Sequence, residues 1–124
     1  MKSRSRDSEL ILQVVRGERP CSDLALVRIS VMFQGDSCVI ENPRRVQAVA
    51  QAADIAKGLV TNRESPEALT LWARVVLAGS SFLDLNLEAH PTGDILLNAL
   101  WDAAFGRPVG DDALRAAAKL ARQQ

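Results

Sequence analysis

The stretch Ser65 to Gly79, SPEALTLWARVVLAG, admits one local structure. Ser65 suits an N-cap, Pro66 the first helical position, and Glu67 places a negative charge in the first turn, where backbone N–H groups lack partners. Leu69, Trp72, Ala73, Val76 and Leu77 then recur at three- and four-residue spacing, the signature of one apolar helix face. A helix of this kind must be covered, so the remainder is read as what packs around it.

Two flanking helices follow from similar signals. Asp7 or Ser8 caps a short helix through Arg16, with Leu10, Ile11, Val14 and Val15 inward and Gly17 as its stop. Asn42-Pro43 marks a helix over about 43–60, with Val46, Val49, Ala50, Ala53, Ala56 and Val60 on one stripe, Ala48, Ala52, Ile55 and Leu59 on a second, and Gln47, Gln51 and Asp54 left for water. Gly58 is a candidate early end. Eighteen alanines favour close helix–helix approach.

Period two appears from Leu26 to Phe33, where Val27, Ile29, Val31 and Phe33 alternate with Leu26, Arg28, Ser30 and Met32. Gln34-Gly35-Asp36 supplies a turn, and Ser37 to Glu41 returns as a shorter strand, giving a hairpin over about 26–41. Past Gly79, Phe82, Leu83 and Leu87 extend the helical stripe while Leu83, Leu85 and Leu87 also alternate; helix to about Leu85 is preferred, broken by His90-Pro91. Thr92 or Gly93 opens another helix with Ile95, Leu96, Ala99, Leu100 and Ala103 inward and Gly106 as its stop. The last opens at Gly110-Asp111 and turns Leu114, Ala117, Ala118 and Ala121 inward. The fold class is thus α+β and mostly helical: four to five helices and one antiparallel hairpin in a single domain over 7–124, preceded by a disordered basic tail over 1–6.

Chemistry is sparse. Cys21 and Cys38 form no C-x-x-C and read as two reduced thiols of a cytoplasmic protein. No apolar run reaches the roughly 18 residues of a membrane span, and Asp7 and Glu9 interrupt the resemblance of the N-terminus to an export signal. Asp84-x-Asn86-x-Glu88 imitates the start of a calcium loop, but Ala89 and Ile95 occupy the positions of its essential Gly and Glu. Ser80 and Ser81 lack a nucleophile elbow, and His90 is the lone histidine. No enzyme, cofactor or metal role is expected.

Fifteen basic and fifteen acidic residues cancel overall, yet between Asp84 and Asp112 six carboxylates face one Arg107. Asp84, Glu88, Asp94, Asp102, Asp111 and Asp112, with Trp101 as an anchor, are therefore the candidate partner-binding residues, and a small bacterial immunity-type inhibitor with a basic protein partner is the functional expectation. The alternative is a nucleic-acid-associated protein using Arg4, Arg6, Arg28, Arg44 and Arg45; Arg44 and Arg45 in the first turn of a helix would oppose its dipole and seek an anion. A third is a subunit of a larger assembly, homo-oligomers included.

Overall fold

A computed structural model describes residues 2–27, 29–34, 37–43, 45–79, 82–88 and 90–122, and the side chains of all of these except residues 2–5, 33, 34 and 37. The chain runs α1 (Lys2–Val15), a 3-10 helix (Cys21–Val27), β1 (Ser30–Gln34), β2 (Ser37–Glu41), β3 (Ala48–Gln51), α2 (Ala52–Asn62), α3 (Pro66–Ala78), β4 (Leu83–Asn86), α4 (Gly93–Ala104) and α5 (Asp111–Arg122). The fold is α+β and mostly helical. No helix of the described residues is long and apolar enough to cross a membrane.

α3 forms as its letters dictate. Ser65 Oγ accepts the Ala68 N–H at 3.3 Å, Pro66 occupies the first turn, and Trp72, Ala73, Val75 and Val76 are buried, with Leu69 and Leu77 partly so. The indole N–H of Trp72 donates to the Val15 carbonyl at 2.8 Å and ties the centre of α3 to the end of α1. Gly58 lies in the same joint, since a Cβ there would come within 2.0 Å of the Val15 carbonyl oxygen and 2.4 Å of the Trp72 ring. It does not end α2, which continues to Asn62; its missing side chain is what admits the neighbouring elements.

The N-terminus differs from expectation, because α1 begins at Lys2 and its backbone is helical through residues 2–6 of the stretch read as a tail. Its end is as expected. Gly17 has a φ of 80°, its N–H donates to Val14 O at 3.1 Å, and the Glu18 N–H reaches Gln13 O at 2.8 Å, a Schellman closure that only a residue tolerant of positive φ completes without strain. Ile11, Val14 and Val15 are buried.

The hairpin is present, with Ser30 opposite Glu41 and Gln34 opposite Ser37. Leu26 and Val27, expected in its first strand, belong to the preceding 3-10 helix. Alternation nevertheless assigns the faces correctly: Val27 and Ile29 are buried, Val31, Cys38 and Ile40 pack on the core, and Met32 and its cross-strand partner Val39 are exposed.

A second pair of strands replaces two expected helical segments. β3 and β4 are parallel, Ala48 opposite Leu83 through Gln51 opposite Asn86, with α2 and α3 as the crossover. Pro43 and residues 45–51 therefore do not begin the helix. Asn42 closes them into a loop, its Nδ2 donating to Val46 O at 2.7 Å and its Oδ1 accepting the Val46 N–H at 3.3 Å. Val46, Ala48 and Ala50 are then buried while Gln47, Val49 and Gln51 face outward. Likewise α3 ends at Ala78 and Leu83 to Asn86 are strand.

Asp54, expected on a solvated face, is 5% exposed. One carboxylate oxygen accepts the Gln51 N–H at 2.8 Å, closing the start of α2, and the other meets Arg16 Nε at 2.5 Å. α5 packs mainly on α2 and buries Ala113, Ala117 and Leu120; of the predicted inward set Leu114, Ala117, Ala118 and Ala121 only Ala117 is fully buried, so the face is rotated.

Candidate functional site

α4 packs Leu96, Ala99, Leu100, Ala103 and Ala104 inward against α3 and α5. Its other side carries Ile95, Trp101 and, one residue past the end, Phe105, all exposed. Ile95 was expected inward and is not; the inward face is narrower than the apolar letters allow. Trp101 is 47% and Phe105 63% exposed, and their rings stack at 5.9 Å between centroids and 19° between planes. Such a pair contributes about 0.5–1.5 kcal/mol beyond its burial, and two large apolar rings side by side in water form a surface that a partner would desolvate.

The arrangement is fixed by how α4 ends. The Gly106 N–H donates to Ala103 O at 3.0 Å and the Arg107 N–H to Asp102 O at 2.8 Å, with Gly106 at φ 72°. This Schellman motif reverses the chain after one left-handed residue. Arg107 is thereby turned back over the helix end, its Cζ 5.2 Å from the Phe105 ring centroid and its Nε 3.6 Å from Asp102 Oδ1. Gly106 was legible as a stop; that the stop builds a Trp101–Phe105–Arg107 ledge was not, because stacking follows from which rings the core leaves outside.

The acidic set is spread along this region. Asp94 is exposed in the first turn of α4, seven residues before Trp101; seven residues are nearly two turns, so both lie on one side of the helix about 10 Å apart along its axis. Asp102 is half-buried and engaged by Arg107. Asp111 and Asp112 are exposed in the first turn of α5, where the helix dipole favours them. Asp84 is exposed on β4 opposite the exposed Val49, and Glu88 is exposed in the following turn. Asp94, Trp101 and Asp102 thus share α4, while the other four belong to neighbouring elements.

The arginines of the alternative are differently placed. Arg28 and Arg44 lie outside the described residues, as does the side chain of Arg4. Arg6 is exposed on α1 and Arg45 is exposed in the loop before β3, with a φ of 52°. Ser8 Oγ donates to Gln47 O at 2.9 Å, so Arg6 and Arg45 each lie two residues from one joint. Arg45 is not in a helix, and the expected clash with a helix dipole is removed. The groove beside Arg6 is also lined by Asp7, Glu9 and Arg19, which gives it mixed charge.

Among the described residues no group of three or more His, Cys, Asp or Glu is placed to hold a metal. His90 Nδ1 accepts the Thr92 N–H at 3.1 Å and lies 2.6 Å from Thr92 Oγ1, shaping the turn into α4. Burial pushes the Cys21 thiol up to about 11, with the nearby Cys38 adding to it, and raises Cys38 as well against the opposing influence of Arg74. Raised thiols are protonated at neutral pH, the reverse of an activated nucleophile.

No protein-family model, curated protein or solved structure matches the chain.

Proposed function

We propose that this chain is a non-enzymatic protein-interaction protein, and that the exposed side of α4 is its contact face. The observation that carries the reading is the Trp101–Phe105 stack, two aromatic side chains held together in solvent. Aromatic anchors of this kind supply a disproportionate share of interface energy when a partner covers them. Asp94 on the same side of the helix and Asp102 at the foot of the ledge give the rim negative charge. Asp84, Glu88, Asp111 and Asp112, all exposed, extend the acidic surface. The partner that complements this face is a basic protein, and inhibition of such a partner in the manner of an immunity protein is the specific form we favour.

Affinity capture from the cells that make the protein tests this, with the wild-type chain and Trp101→Ser/Phe105→Ser as paired baits. The expected result is a protein rich in Lys and Arg that wild type retains and the double variant loses, and whose retention by Asp94→Lys/Asp102→Lys is reduced most at low salt. All four positions reach solvent, so these variants keep the fold. Identical retained sets on all baits, or a wild-type-specific partner without basic excess, overturn the reading.

A further inference from the structure

Beside the aromatic ledge, the turn after α2, the start of α3, the α4–α5 loop and α5 enclose a groove of about 380 Å³. Its walls are apolar, with Pro66, Leu69, Ala103, Val109 and Leu114 among them. Two guanidinium side chains, Arg63 and Arg107, also line it, and among the described residues no carboxylate does. This runs against the local charge balance, because the half of the chain from residue 63 onward carries eight acidic and six basic residues. Two of those six basic groups border one small apolar space.

Neither arginine is there to neutralise a buried acid. Arg63 is exposed at the end of α2, and its side chain makes no ion pair or hydrogen bond among the described residues. Arg107 is steadied by the Gly106 turn, by Phe105 and by Asp102 at 3.6 Å, contacts that hold it at the rim before any ligand arrives. Leu69, Val109 and Leu114 are only partly buried although they pack on the core, so apolar surface remains within the groove. The volume lies in the range of small-molecule sites, which are mostly apolar with a few polar groups that orient the ligand, and a guanidinium is the side chain best suited to a carboxylate.

We propose that this groove binds a small amphipathic carboxylate, its apolar body against Leu69, Ala103, Val109 and Leu114 and its anionic end on Arg63 and Arg107. The proposal does not rest on the protein-contact reading although the two share Arg107: that reading turns on Trp101 and Phe105, this one on the apolar groove with Arg63 and Arg107.

Octanoate, octan-1-ol and octylammonium, three probes with one apolar body and different head groups, test it by amide NMR titration. Octanoate is expected to shift the amides of Thr70, Ala103, Val109 and Leu114 saturably, binding about tenfold more tightly than octan-1-ol, with octylammonium weakest. Arg63→Gln/Arg107→Gln, at two exposed positions, is expected to weaken octanoate about tenfold and leave octan-1-ol unchanged. Absence of saturable octanoate shifts at these residues up to about 10 mM, equal affinity for the three probes, or an unchanged octanoate affinity in the double variant each overturns the proposal.

Discussion

The Trp72 indole and the Val15 main-chain carbonyl, 57 residues apart in sequence, are joined by a 2.8 Å hydrogen bond across the body of the protein. Trp72 is 1% exposed, so both groups depend on each other for satisfaction. Gly58 borders the same bond. The joint therefore couples α1, α2 and α3 in one place.

Substitution at this joint is expected to be severe. Gly58→Ala forces a methyl group against the Val15 carbonyl oxygen and the Trp72 ring, and overpacking of this sort costs about 1–3 kcal/mol. Trp72→Phe removes the donor and leaves a buried carbonyl unpaired, for a further penalty of about 1–3 kcal/mol besides the lost volume. Urea denaturation followed by far-ultraviolet circular dichroism measures both, and a loss below about 0.5 kcal/mol in either variant contradicts the packing described.

Gly106 and Gly110 form an internal comparison. A Cβ at either would meet nothing within 4 Å, but only Gly106 has a positive φ. Gly106→Ala is expected to lose about 1–2 kcal/mol by strain alone, while Gly110→Ala changes stability little. The same Gly106→Ala variant should loosen Arg107 from Phe105 and Asp102, visible as altered NMR shifts of the Phe105 ring. Equal melting temperatures for the two alanine variants would refute this account of the α4 end.

The cysteines give a pH dependence with a definite sign. Cys21 holds its proton up to about 11 in the folded protein against an ordinary value of 9.0. The unfolded chain thus releases that proton first as pH rises, so the contribution to stability is intact below about pH 9 and is lost as pH climbs through about 11. Cys21→Ala should flatten the alkaline side of a stability–pH curve. Under mild alkylation Cys38 should react before Cys21, since Arg74 favours its thiolate whereas Cys38 opposes that of Cys21.

Legibility in the sequence followed the range of the forces involved. The Ser65 cap, Pro66 and the Gly106 stop act within one helical turn, and each stands where its letters place it. The alternation across 27–32 likewise assigned the faces of the hairpin region. The alanines of β3 fit period two and period 3.6 equally well, so its letters do not choose between strand and helix. Only pairing of Ala48 with Leu83, 35 residues on, and closure of the loop by Asn42 exclude the helix. Asp54 misled for a related reason, since a carboxylate is buried only when a distant Arg16 is brought to it.

The candidate site divides the same way. Sequence by itself determined the helix start at Ser65, the reversal at Gly106 and the nomination of Trp101 among carboxylates, because caps, left-handed turns and composition are properties of neighbours along the chain. Tertiary structure alone decided that Leu96, Ala99, Leu100 and Ala103 take the inward face of α4, leaving Trp101 and Phe105 stacked in solvent with Arg107 beside them. A helix offers several apolar stripes to its surroundings, and which one is buried depends on the shape of what packs against it.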